Sequence, residues 1–105
     1  MKRDFTYIDD IVLGIRAAIN KNYLFEIFNL GNNQCVNLMD IVGYIEKELN
    51  TKASIEFLPI QPGDVKSTNA DIEKSKKLLD YHPLTSVDQG IKKFINWYKG
   101  YNTNL

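Results

Sequence analysis

Eight residues near the start, Arg3-Asp4-Phe5-Thr6-Tyr7-Ile8-Asp9-Asp10, set what this chain can become. They place a permanent cation, aromatic rings and carboxylates side by side and run straight into an amphipathic pattern. Phe5 to Ile8 reads as a short extended segment. Asp9 or Asp10 then caps a helix, because a carboxylate accepts the N–H groups that a first turn leaves unpaired. Ile11, Val12, Ile15, Ala18 and Ile19 fall on one helical face, and Asn20-Lys21-Asn22 closes it. Such an opening leaves no room for a leader segment. Asp4 and Asp9 interrupt any apolar run that a signal peptide would need.

The remaining elements follow from periodicity and punctuation. Leu24 to Leu30 reads as a largely buried strand, and Gly31-Asn32-Asn33 as a turn of residues that tolerate positive φ. Asn37 is placed as the N-cap of a second helix, with Asp40 as a weak capping-box acid. Leu38, Ile41, Val42, Ile45 and Leu49 form its apolar stripe, and Asn50-Thr51-Lys52 ends it. Ser54 to Leu58 is a second strand by composition. Pro59-Ile60-Gln61-Pro62-Gly63-Asp64 cannot continue a ladder, since both prolines lack a donor. Val65 to Asn69 is briefly extended, and Asp71 caps a short helix carrying Ile72, Leu78 and Leu79, broken at His82-Pro83. Ser86-Val87-Asp88-Gln89 is a capping box for a last helix that Val87, Ile91, Phe94, Ile95 and Tyr98 carry to about Lys99. Gly100 is its expected C′ residue, and Tyr101 to Leu105 is expected to fray. The expected fold class is a small mixed α/β unit of about four helices and two to four short strands. That is too little sheet to be self-contained, so the chain is expected to lean on another domain.

Composition narrows the function. The chain has 105 residues, 44% of them hydrophobic, which fits a single small domain spanning 1–105. Thirteen basic and thirteen acidic residues cancel, so no broad field attracts nucleic acid or an anionic membrane. No run approaches the roughly 18 apolar residues of a membrane span. The lone Cys35 cannot form an internal disulfide and suits a cytoplasmic chain. It reads as a small buried thiol. The single histidine, His82, reads as a solvated loop residue beside a proline. Asp9 and Asp10 are adjacent, so their side chains diverge and capping explains them better than a metal. The six glycines are scattered and form no phosphate loop. No catalytic apparatus is complete, and no metal site is expected.

Two loci remain. Arg3 is a planar, fixed cation suited to a phosphate or carboxylate. Gln61-Pro62-Gly63-Asp64 is a stiff turn that offers an amide, close backbone approach and a carboxylate able to accept from two vicinal hydroxyls.

The motifs Arg3 to Val12, Phe28-Asn29-Leu30-Gly31-Asn32, Leu58-Pro59-Ile60-Gln61-Pro62-Gly63-Asp64-Val65, Ala70-Asp71-Ile72, Tyr81-His82-Pro83 and Gly90-Ile91-Phe94-Trp97-Tyr98 occur in order along the chain. Together they resemble the C-terminal part of extended short-chain dehydrogenase/reductase-type nucleotide-sugar epimerases and dehydratases, nearest to the UDP-glucuronate 4-epimerase subgroup. The resemblance implies a nucleotide-sugar-binding portion whose NAD-binding Rossmann half is absent, with NAD held in the full-length enzyme and none by this chain. It implies that Arg3 contacts the nucleotide diphosphate and Asp64 the ribose. Gln61 stands where many relatives place a second arginine, which removes one charge from the clamp. Tyr7 and Asn29 match positions near the cleft and are expected to be mainly structural. Asp80 replaces the glycine usual before Tyr81. The full enzyme would interconvert UDP-glucuronate and UDP-galacturonate at C4. No residue here inherits a catalytic role, since no tyrosine has a lysine four positions on. The rival expectation is a non-enzymatic, self-associating or protein-interaction domain, a homodimer through exposed apolar surface.

Overall fold

The computed structural model describes residues 1–102. The expectation of a frayed chain end falls partly on residues 103–105, which lie outside the described residues. The elements are β1 (Lys2–Asp4), α1 (Ile8–Lys21), β2 (Cys35–Asn37), α2 (Leu38–Leu49), α3 (Glu73–Leu79) and α4 (Val87–Tyr101). This is the small mixed α/β unit expected, with four helices and a two-stranded sheet, but the strands are not the segments that composition suggested.

β1 pairs antiparallel with β2, Lys2 opposite Asn37, Arg3 opposite Val36 and Asp4 opposite Cys35. Its other edge is also used. Lys2 N–H donates to Lys66 O at 2.8 Å, and Thr68 N–H donates back to Lys2 O at 3.2 Å. A parallel bridge to Ser67 results, in the stretch expected to be briefly extended. The extended segment placed at residues 5–8 therefore lies earlier, and Ile8 already belongs to α1.

Residues 24–30 and 54–58 form no ladder. A strand needs a neighbour to take its backbone donors, and neither stretch has one among the described residues. The first is not largely buried as expected: Phe28 and Leu30 pack against the core, while Leu24, Phe25 and Ile27 face outward. Side chains moor it along α3. Ser75 Oγ donates to Asn29 O at 2.6 Å, and Lys74 pairs with Glu26 and lies over the Phe28 ring. Residues 54–58 are exposed throughout. Cys35 is exposed too, because Val36 takes the inward position of β2 and the pleat turns its neighbours outward. Its Sγ lies 2.9 Å from Ser67 Oγ.

The helix ends reward local chemistry. Asn37 Oδ1 accepts from Met39 N–H at 3.0 Å; Asp71, expected as the cap of α3, stands one residue before the N-cap Ile72, though its Oδ1 accepts from Glu73 N–H at 3.1 Å. Asn22, Asn50 and Asp80 end their helices in the left-handed conformation, φ 53°, 51° and 54°. Ser86 holds the N-cap position of α4, but its side chain makes no cap bond. Gly100 does not stop α4, which runs on to Tyr101. Trp97 and Tyr101 stack across it with ring centres 5.4 Å apart, a spacing of four that favours helix. At α1 the N-cap is Tyr7, without a side-chain cap bond. Asp10, read as a cap, is instead buried and clamps the approach to α4. Its two carboxylate oxygens accept from Leu84 N–H at 3.2 Å and Thr85 N–H at 3.1 Å.

The core is small. Ile72, Leu79 and Tyr81 pack with Ala17, Ala18, Phe28, Leu30 and Ala70. Ile41 and Ile95 are buried in α2 and α4, which pack on each other. The molecule is a slab of 48 × 38 × 18 Å with a radius of gyration of 16.5 Å. A compact domain of this length has about 13 Å. The apolar stripe of α1 stays largely uncovered, with Ile15 49% and Ile19 70% exposed. No helix among the described residues is long and apolar enough to cross a membrane.

Two substitutions test these contacts. Asp10→Ala strands two backbone donors and is expected to cost about 3 kcal/mol in urea unfolding. Tyr81 donates from its hydroxyl to Gly31 O at 2.8 Å. Burial, then the Asp10 and Asp4 carboxylates, push its pKa above the usual phenol range. The folded phenol keeps its proton at a pH where the unfolded one, near about 10, begins to lose it. Its contribution is thus complete below that pH and drains as pH rises towards the folded value. Tyr81→Phe should cost about 1 kcal/mol at neutral pH and flatten the alkaline fall in stability, read by denaturation across pH.

Candidate functional site

The pleat of β1 sends consecutive side chains to opposite sides. Asp4 turns to the 31–33 turn and Ala70; Arg3 turns to the mid-chain loop. The Arg3 guanidinium donates from Nη1 to Lys2 O at 2.9 Å and from Nη2 to Val65 O at 2.8 Å. A guanidinium has five N–H donors, so part of its edge remains free for an anion.

Val65 directly follows the turn that carries the other two expected site residues. Asp64 N–H donates to Gln61 O at 3.1 Å, closing four residues with Pro62 and Gly63 at the centre. Gly63 has φ +88°, the value a type II turn requires after proline. A Cβ at Gly63 would meet nothing within 4 Å, so the backbone angle alone calls for glycine. Gln61 and Asp64 are exposed, while Arg3 is partly covered. The structure therefore brings Arg3 to the residue beside Asp64. The two charges form no ion pair with each other, and both keep capacity for a ligand. The arrangement can hold a group with an anion at one end and hydroxyls at the other.

Other sequence candidates serve packing. Tyr7 lies under Lys93 Nζ, 5.4 Å from the ring centre, and beside Gly90. Asn29 accepts the Ser75 hydroxyl and donates to Asp71 O at 3.5 Å. His82 is exposed and sits 3.0 Å from Asp80 Oδ1, a solvated pair at a helix end. Nothing in these positions forms a nucleophile with its base.

Asp4 is the residue that the sequence reading passed over. Its carboxylate accepts from Asn32 N–H at 3.2 Å, Asn33 N–H at 3.0 Å and Ala70 N–H at 2.9 Å. It anchors the strand that presents Arg3. The available signal was an acid in an otherwise extended stretch, with a Gly-Asn-Asn turn further on. The partners lie 28 to 66 residues away, and no local pattern reveals them.

Known proteins similar to this chain in sequence and those similar to it in shape agree with each other. No family model matches the chain. An uncharacterised protein of Methanocaldococcus jannaschii is 54% identical over 98 residues, covering 93% of this chain and 30% of that protein. The UDP-glucuronate 4-epimerase of Thermodesulfobacterium geofontis is 43% identical over 98 residues, covering 92% of this chain and 30% of the enzyme. The crystal structure of UDP-glucuronic acid 4-epimerase from Bacillus cereus, in complex with UDP-glucuronic acid and NAD, superposes with a TM-score of 0.84 at 35% identity. That match covers 95% of this chain and 32% of the enzyme. The chain thus spans about a third of the length of the relatives it matches. By sequence and by fold it belongs to the NAD-dependent epimerase/dehydratase family of extended short-chain dehydrogenases/reductases, and corresponds to their C-terminal region.

Proposed function

We propose that residues 1–105 are the nucleotide-sugar-binding domain of a UDP-sugar epimerase, with UDP-glucuronate and UDP-galacturonate as the pair interconverted at C4 by the whole enzyme. Arg3 takes the diphosphate, Gln61 adds a neutral donor, and Asp64 accepts from the ribose hydroxyls. The observation that carries this reading is the 2.8 Å hydrogen bond from Arg3 to Val65, which brings the cation to the residue next to Asp64. The roles are positional. Gripping the nucleotide holds the sugar in register for chemistry elsewhere.

The chain has no glycine-rich phosphate loop of the kind that holds NAD. Gly14 and Gly31 are closed by their own neighbours: an added Cβ would meet Leu30 at 2.7 Å and Ala70 at 2.5 Å, so neither opens a cradle for a pyrophosphate. Hydride transfer is therefore assigned to no group here, and NAD binding by this chain is not expected. The uncovered stripe of α1 and the outward side chains Leu24, Phe25 and Ile27 suit a face that packs against the NAD-binding portion of such an enzyme.

The same exposed surface supports a second reading, a self-associating domain without ligand. Sedimentation and the melting temperature with added UDP separate the two, since a dimer indifferent to UDP favours the second.

The purified chain is expected to show no turnover of UDP-glucuronate with NAD supplied; measurable epimerisation would refute the proposal. Calorimetric titration should find weak UDP binding that Asp64→Ala weakens by about tenfold or more. Tight binding untouched by that substitution would overturn the assignment of Asp64.

A further inference from the structure

The turn that carries Gln61 and Asp64 has little to hold it. Every residue from 51 to 67 is exposed, and Ile60 and Val65 are each more than half open to solvent. The Asp64–Gln61 bond lies inside the turn and does not tie it to the body. Backbone pairing to β1 begins only at Lys66. Among the described residues, one side chain from elsewhere bonds into 59–65, and it is Arg3, through Val65 O.

We infer that Arg3 is a positioning residue as well as an anion ligand: by gripping the Val65 carbonyl it fixes the turn from which Asp64 reaches the ribose. The ligand rests on the function proposed above; the mooring of the turn does not. The planar guanidinium spans two carbonyls, Lys2 O and Val65 O, so its own orientation is set before any ligand arrives. Its free edge then faces an incoming phosphate in a fixed plane, and the carboxylate of the adjacent residue, Asp64, is held in the same act. A lysine at this position keeps the charge, but a single ammonium cannot reproduce the two-carbonyl fork in that plane. Ribose contact is thereby made to depend on a side chain that does not touch the ribose.

The test separates the two roles. Nitrogen-15 relaxation on the free chain reads the order of Gly63, Asp64 and Val65 on the picosecond-to-nanosecond scale. In Arg3→Lys and Arg3→Ala these three amides are expected to loosen. Thr68 and Ala70, bonded to Lys2 and Asp4, are expected to stay as they are. Titration with uridine, which has no phosphate, should then show affinity lower by about tenfold in both variants, the value of a lost hydrogen bond to a charged group. Arg3→Lys should keep more of the preference for UDP over uridine than Arg3→Ala, because the cation remains. Should both variants leave turn order and uridine affinity unchanged, Arg3 is an anion ligand alone and the inference falls. If the wild-type chain binds neither UDP nor uridine, the nucleotide proposal fails, and the relaxation data alone decide the mooring. If Arg3→Ala does not fold, Arg3→Lys carries both readings.

Discussion

The carboxylate of Asp4 is the knot from which the rest is strung. It accepts three backbone N–H groups from two segments distant in sequence, while Asp4 N–H donates to Thr68 Oγ1 at 3.2 Å. Hydrogen bonds to an ionised acceptor are about twice as strong as neutral ones, and here they replace a ladder. The knot dictates its surroundings. Gly31 must be glycine, since a Cβ there would lie 2.5 Å from Ala70 Cβ and 3.2 Å from the Asp4 carboxylate. The Gly31 carbonyl in turn receives the buried Tyr81 hydroxyl, so the apolar core begins where the polar knot ends.

Asp10 repeats the device at the other end of the 5–7 stretch, with two backbone donors from the approach to α4. Between them the two acids fix β1, α1, the 31–33 turn and the α3–α4 connection. Apolar burial does less here than in a typical domain. Among the described residues five hydrophobic side chains are buried, in a slab 18 Å thick. A fold with so little interior needs directional contacts to choose one arrangement, and carboxylates aimed at backbone N–H groups supply them.

What was legible in the sequence divides along the same line. The four helices announce themselves, because a period of 3.6 and an Asn or Asp at an end are local facts. Asn22, Asn37 and Asn50 do what their positions suggest. The strands were misplaced because a strand is defined by its neighbour. Residues 24–30 carry the apolar run of a buried strand, yet meet no partner, and only Phe28 and Leu30 reach the core. Lys2–Asp4 carries no apolar signal and is paired on both edges. Asp10 was read as a cap because its true partners stand 74 and 75 residues further on. Residue chemistry singled out Arg3 and the Gln61–Asp64 turn, and resemblance to a family gave them their expected roles. The bond that joins Arg3 to the turn spans 62 residues and leaves no mark on either stretch alone.

The exposed apolar stripe of α1 bears on how far the fold depends on what covers it. This chain superposes with a TM-score of 0.84 on an enzyme of which it spans 32%. The contacts that give it that shape are nevertheless internal: Asp4 on the 31–33 turn, Asp10 on residues 84–85, Tyr81 on Gly31, Arg3 on Val65. None of them uses the outward side of α1, where Ile8, Val12, Ile15 and Ile19 lie open. The shape thus rests on polar contacts that the exposed stripe does not share. Hydrogen-bonded acids and one guanidinium set the geometry of the edge where Arg3 and Asp64 stand, and the apolar stripe of α1 takes no part in it. A partner seated on that stripe adds stability by burying area, in proportion to what it covers. It does not have to reshape the edge where Arg3 and Asp64 stand, because that edge is already tied to β1 from within.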